Sequence, residues 1–157
     1  MITTALILAT MLQLTPRAAW ENTYRDTARA IAAAANDDPD PADAAALLVA
    51  VAKFESDFKP DAVGDNGDAR GAWQIHPDAW RLDPSLFVAG GIEVQARAAL
   101  ALIRHSMDRC GDLTEYASGT CRRGTLKASH RLDLADRIRR AYRGDARVSH
   151  FAVSSSE

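Results

Sequence analysis

The sequence predicts a mostly α, single-domain chain with one short loop or β-hairpin near its middle. Three observations carry this. Apolar side chains recur at spacings of three and four residues through several Ala-rich stretches. Asp40-Pro41, Gly111 and Ser129 stand where helices begin or end. The periodicity changes between Asp61 and about Trp80, where Gly64, Gly67 and Gly71 fall among Asp65, Asn66 and Asp68. The length of 157 residues suits one core. An apolar fraction of 47% with 25% charged residues excludes a disordered chain.

The elements follow in order. Ala5 to Ala9, with Met11, Leu12 and Leu14, form an apolar run. It falls short of the roughly 20 residues that span a bilayer, so no membrane span is expected. Nothing before Arg17 is basic and no A-x-A cleavage site follows, so two readings stand: a first helix or a poor export signal. This segment, 1–18, is set apart from a domain spanning 19–147. Ala19 to Ala35 reads as a helix carrying Trp20, Tyr24 and Ile31, broken by Asn36-Asp37-Asp38-Pro39. Asp40 then caps a helix with Pro41 at its first position, where the missing N–H costs nothing. It runs to about Phe58, because Pro60 disfavours helical geometry at Lys59. Gly91 leads into a helix ending near Cys110, with Val94 or Ala96, Ala99, Leu100, Ile103 and Met107 inward and Gly111 as C-cap. Ser129 is expected to cap a last helix with Leu132, Ala135, Ile138 and Tyr142. Val148–Glu157 reads as a frayed tail.

Charge is unevenly spread. Residues 1–96 hold 7 basic and 14 acidic side chains, residues 97–157 hold 12 and 7, and the net charge is −2. Two readings fit: two solvated helical faces, or a basic wall facing an anionic partner. A nucleic-acid binder using Arg137, Arg139, Arg140 and Arg143 would lack a recognition helix or aromatic platform, so no nucleic-acid partner is expected. Cys110 and Cys121 bracket one small loop, which suggests a disulfide and an oxidising compartment. His76, His105, His130 and His150 are scattered, with no ligand pair at CxxC or HxxxH spacing. No metal or other cofactor is expected.

The chemistry points to the end of the second capped stretch. Leu47, Leu48, Val51, Phe54 and Phe58 form an apolar face there, and Glu55 lies four after Val51 and seven after Leu48. Those spacings set a carboxylate in the apolar stripe. Partial desolvation disfavours its charged form, which suits a general acid. From position alone, Glu55 could equally reach water at the stripe's edge or pair with Lys53 or Arg70.

The residues that follow resemble those of the lysozyme-like superfamily of lytic transglycosylases and goose-type lysozymes. Those families carry Glu-Ser at a helix end, then a Gly-rich turn and a Gly-x-x-Gln-hydrophobic segment. Glu55-Ser56, Gly64-Asp65-Asn66-Gly67 and Gly71-Ala72-Trp73-Gln74-Ile75 match in that order, and Tyr116-Ala117-Ser118-Gly119 resembles a third motif. The likeness covers about Leu47 to Gly119 and implies a lysozyme-like domain with a loop or hairpin after the catalytic helix. It implies Glu55 as the acid. Ser56, Gly71, Trp73, Gln74 and Tyr116 become candidate substrate-binding residues. Each also has a plainer structural reading: Ser56 fixing the helix end, Gly71 taking a positive φ, Trp73 filling the core, Gln74 bonding loop backbone, and Tyr116 packing.

Glycosidases commonly use two carboxyl groups. Asp65 holds the goose-type Gly-Asp position and is the candidate second carboxylate, unless it only bonds its own turn. His76 stands where the goose type often has Asp, which favours a transglycosylase. There the substrate's N-acetyl group assists and an internal hydroxyl closes a 1,6-anhydro product. The resemblance therefore implies cleavage of the β-1,4 bond between N-acetylmuramic acid and N-acetylglucosamine in peptidoglycan. A hydrolytic goose-type enzyme using Asp65 is the alternative. A non-catalytic wall-binding or structural module is the alternative of another class. The partner is peptidoglycan glycan strands, with a larger wall-penetrating or virion assembly as a further option. The place of action is cell wall or periplasm, or the virion if phage-encoded.

Overall fold

The computed structural model describes residues 1–16, 20–77, 81, 83, 91–121 and 126–144; the tail expected at Val148–Glu157 lies outside them. Six α-helices are described: α1 (Thr4–Leu14), α2 (Glu21–Asn36), α3 (Pro41–Ser56), α4 (Gly91–Cys110), α5 (Thr114–Ser118) and α6 (Leu126–Tyr142). Between α3 and α4 lie strands β1 (Val63–Gly64) and β2 (Ala69–Arg70), paired antiparallel with Val63 opposite Arg70. The predicted mostly α class with a hairpin after α3 holds.

α3 is the central element, and it packs most extensively against α6. Every residue from Ala44 to Ala52 is buried, so the helix is covered on all sides through its middle. Its start is set as expected: Asp40 accepts a hydrogen bond from the Asp43 N–H at 3.2 Å, and Pro41 opens the helix. Small alanines let neighbouring helices approach this closely. α2 supplies Ala28, Ile31 and Ala35 to the same core. α4 supplies Ala96, Ala99, Leu100 and Ile103, while Met107 is only partly buried.

α1 belongs to this core rather than standing apart from it. Ile7 and Met11 are fully buried. The Asn36 side chain accepts from the Ile2 N–H at 2.9 Å and donates to the Ile2 carbonyl at 3.0 Å, tying the chain start to the end of α2. Two local expectations are corrected. α6 begins at Leu126, so Ser129 lies inside the helix and its hydroxyl donates to the Leu126 carbonyl at 3.1 Å. Phe54 is 46% exposed instead of filling the core; it lies in the last turn of α3, past the fully buried stretch Ala44–Ala52.

The charge asymmetry has a third explanation that neither sequence reading included. Arginines of the basic C-terminal part dock onto acids of the N-terminal part. Arg104 donates to Asp38 and to Asp43, the latter at 2.6 Å; Arg139 donates to Asp43 at 2.7 Å. Arg97 pairs with Asp37, and Arg143 with Asp40. These contacts cluster where the α2–α3 turn meets α4 and α6. Burial opposes the charge of Asp43, but the hydrogen bonds from Arg139 and Arg104 outweigh it and hold the carboxyl below its usual range.

A carboxyl lowered in the fold contributes stability above its unfolded pKa, and that contribution is lost as pH falls through the lowered value. Asp43→Asn is therefore expected to reduce Tm at neutral pH and to flatten the fall of Tm below about pH 4. Thermal melts from neutral to strongly acidic pH check this; an unchanged acid limb would remove Asp43 from the account.

Candidate active site

The site is built where α3 stops. Asp57 (φ 51°) and Phe58 (φ 69°) both take left-handed conformations, which is unfavourable for side chains other than glycine. Several contacts hold them there. The Phe58 N–H donates to the Ala52 carbonyl at 3.2 Å, its carbonyl accepts from the Thr27 hydroxyl at 3.1 Å, and its buried ring meets Tyr24 edge-on at 5.4 Å. Lys53 pairs with Asp57. The helix is thus cut at Ser56, and Glu55 sits in its final turn.

The Ser56 hydroxyl donates to the Ala72 carbonyl at 2.8 Å and accepts from the Lys59 N–H at 3.0 Å. It fastens the helix end to the segment 71–75. That segment is itself a closed turn. Arg70 and Ile75 exchange two backbone hydrogen bonds of 2.9 Å, and the Gly71 N–H donates to the Ala62 carbonyl at 2.8 Å. Gly71 (φ 77°) is buried, and a Cβ there would overlap the Gln95 carboxamide from α4. Both the positive φ and the close approach of a protein side chain call for glycine here.

The Gln74 amide donates to the carbonyls of Gly71 at 2.9 Å and Ala62 at 3.2 Å, and its side chain lies over Gly64. It joins the turn to the hairpin. Trp73, expected among the substrate-binding residues, is corrected to a core residue. It is fully buried and its indole N–H donates to the Leu48 carbonyl at 3.0 Å, so no face is open to a sugar. Tyr116 is brought in from α5, and its hydroxyl donates to the Trp73 carbonyl at 2.6 Å. Burial, then the negative charge of Glu55, push the Tyr116 phenol well above its usual pKa, against a smaller opposite effect of Arg131. It stays a neutral donor across the physiological range.

Glu55 itself is 19% exposed at the side chain. Its Oε1 accepts from Arg131 Nη2 at 2.6 Å, so the partner is neither Lys53 nor Arg70. Arg131 was missed in the sequence. The signal existed: Arg131 falls seven before Ile138 and four before Ala135, on the buried stripe of the last helix. A cation and an anion each set in an apolar stripe invite pairing.

Asp65 lies in the turn between β1 and β2. It is 70% exposed at the side chain, has φ 47°, and pairs with His76 Nε2 at 2.9 Å. Asp65, His76 and Tyr116 line a cavity of about 570 Å³ with His105, Arg109, Glu115 and the turn 117–119. Tyr116 therefore links two neighbourhoods: the Glu55–Arg131 pair and the cavity holding Asp65. Cys110 and Cys121 form a disulfide with Cα atoms 5.3 Å apart, within the usual range. The bond closes the loop that carries α5.

A partly exposed carboxylate at a helix end, followed by a tied hairpin, thus stands on a mostly helical, lysozyme-like fold. The family model described as Transglycosylase SLT domain matches residues 30–85. The match runs from α2 through Glu55, the hairpin and the Gly71–Ile75 turn, and it bears out the resemblance to the lysozyme-like superfamily of lytic transglycosylases. At the level of that family, it supports action on peptidoglycan. No curated protein and no solved structure matches the chain. Among the described residues no helix is long and apolar enough to cross a membrane.

The disulfide is expected to stabilise the domain by about 2–3 kcal/mol, since the loop it closes is short. Urea unfolding of Cys110→Ala/Cys121→Ala against wild type measures this. A midpoint equal to that of wild type would mean the loop is held by packing alone.

Proposed function

We propose that this protein is a peptidoglycan-degrading muramidase that cleaves the β-1,4 bond between N-acetylmuramic acid and N-acetylglucosamine as a lytic transglycosylase. The observation that carries the reading is Glu55: a partly exposed carboxyl in the last turn of α3, inside the stretch matched by the transglycosylase family. Glu55 protonates the leaving oxygen as the glycosidic bond breaks. The N-acetyl carbonyl of the substrate stabilises the positive charge that develops at the anomeric carbon. The substrate's own C6 hydroxyl then attacks that carbon and returns its proton to the Glu55 carboxylate, by microscopic reversibility. Atoms balance without an external water, and the product carries a 1,6-anhydro ring.

A hydrolytic reading with Asp65 as water-holding base is the second possibility, supported by its Gly-Asp position and its place on the groove. The Asp65–His76 pair weighs against it, because a carboxylate engaged by an imidazole is less available to orient a water. For Ser56, Gly71 and Gln74 the supported role is to hold the floor of the site. Tyr116 is proposed to orient the site from above.

Glu55→Gln is expected to lose activity on purified sacculi by about 10²–10⁴-fold. Mass spectrometry of the wild-type digest should show 1,6-anhydromuropeptides, one water lighter than reducing-end products. Asp65→Asn should then retain most activity. Reducing ends alone, together with loss of activity in Asp65→Asn, would replace the transglycosylase by a hydrolase. Full activity of Glu55→Gln would overturn both.

A further inference from the structure

We infer that Arg131 is a positioning residue for the proposed acid: it fixes which oxygen of Glu55 faces the substrate and holds the charge that proton donation leaves behind. The inference rests on the reading of Glu55 as the acid.

The geometry is specific. Arg131 is 5% exposed, on α6, some distance in sequence from every motif that defines the site. Its Nη1 donates to the Lys127 carbonyl at 2.6 Å, one turn back on its own helix. Its guanidinium lies 5.7 Å from the centre of the exposed Phe54 ring. With one arm anchored to backbone, the other, Nη2, reaches Glu55 Oε1 at 2.6 Å. Among the described residues this is the only hydrogen bond to the Glu55 carboxyl. Oε1 is therefore committed, and Oε2 is left to carry the proton that goes to the leaving oxygen.

The pair is a poor device for stability. Burying a guanidinium is costly, and a buried ion pair is commonly no better than apolar side chains of the same volume. Here the cost is raised further, because Arg131 Nε is buried with no hydrogen-bond partner among the described residues. An apolar residue in this register would pack α6 onto α3 as well. The charge gains a purpose when the carboxyl ionises during bond cleavage, since an opposite charge in contact favours the carboxylate that forms.

Two groups from neighbouring elements act on Glu55: Arg131 from α6 and Tyr116 from α5. Tyr116 keeps its proton throughout the working range, so only Arg131 contributes a charge. Removing that charge leaves the carboxylate that forms on proton donation without its partner, so the rate falls.

The test is kcat and KM of Arg131→Met and Arg131→Lys on purified sacculi, beside Glu55→Gln. For Arg131→Met we expect kcat to fall about 10–100-fold with KM nearly unchanged. Arg131→Lys keeps the charge without the fork, so its kcat should fall less. Folded Arg131→Met with wild-type kcat would overturn the inference and leave Glu55 untouched. If Arg131→Met does not fold, Arg131→Lys decides: a kcat at least several-fold below wild type at equal Tm supports positioning, and a wild-type kcat refutes it. An active Glu55→Gln would instead remove the reading on which the inference rests.

Discussion

The rest of the site depends on one constraint: α3 must be buried along its length and yet end on a carboxylate that reaches the surface. A helix buried from Ala44 to Ala52 has no polar face through its middle, so its side chains reach solvent only in its first and last turns. The left-handed pair at Asp57 and Phe58 stops the helix there, and Phe58 is held by Tyr24, Thr27 and the Ala52 carbonyl. With the helix stopped at Ser56, Glu55 sits at the rim, with Phe54 exposed on one side and the tied hairpin on the other.

The motif residues then divide into two kinds. In the proposed mechanism, Glu55 and Tyr116 carry the chemistry at the rim. Ser56, Gly71, Trp73 and Gln74 bond to backbone or let other groups approach it, and together they tie the helix end to the turn and hairpin. This explains why a short motif can mark an active site while few of its members face the groove. Polar side chains that satisfy loop carbonyls hold the floor in place under the proposed acid, and small errors there would misplace it.

Much of the architecture was legible in the sequence. Asp40-Pro41, the span of α4 and the C-cap at Gly111 were readable because caps and periodicity are local signals. The start of α6 was not, because Ser129 imitates a cap while bonding backward inside the helix. Trp73 could not be assigned from its type, since an aromatic beside a glycine turn serves a core or a platform equally well; its indole bond to Leu48 decides for the core. The charge imbalance was visible in the counts, but its cause was not. Arg104 and Arg139 meet Asp43 only after the chain has folded back across 61 and 96 residues. Arg131 was hidden in the same way, although its register on the buried stripe marked it as the counterpart of Glu55.

The central claim is that the docking of α6 onto α3 sets Arg131 against Glu55 as an interacting pair. A double-mutant cycle on stability tests it most directly, using urea unfolding of wild type, Glu55→Gln, Arg131→Met and the double variant at neutral pH. The account predicts a coupling energy of at least about 1 kcal/mol, because each single change leaves a partly buried group without its partner. Additivity within about 0.3–0.5 kcal/mol would mean the two side chains act independently, and would contradict the account.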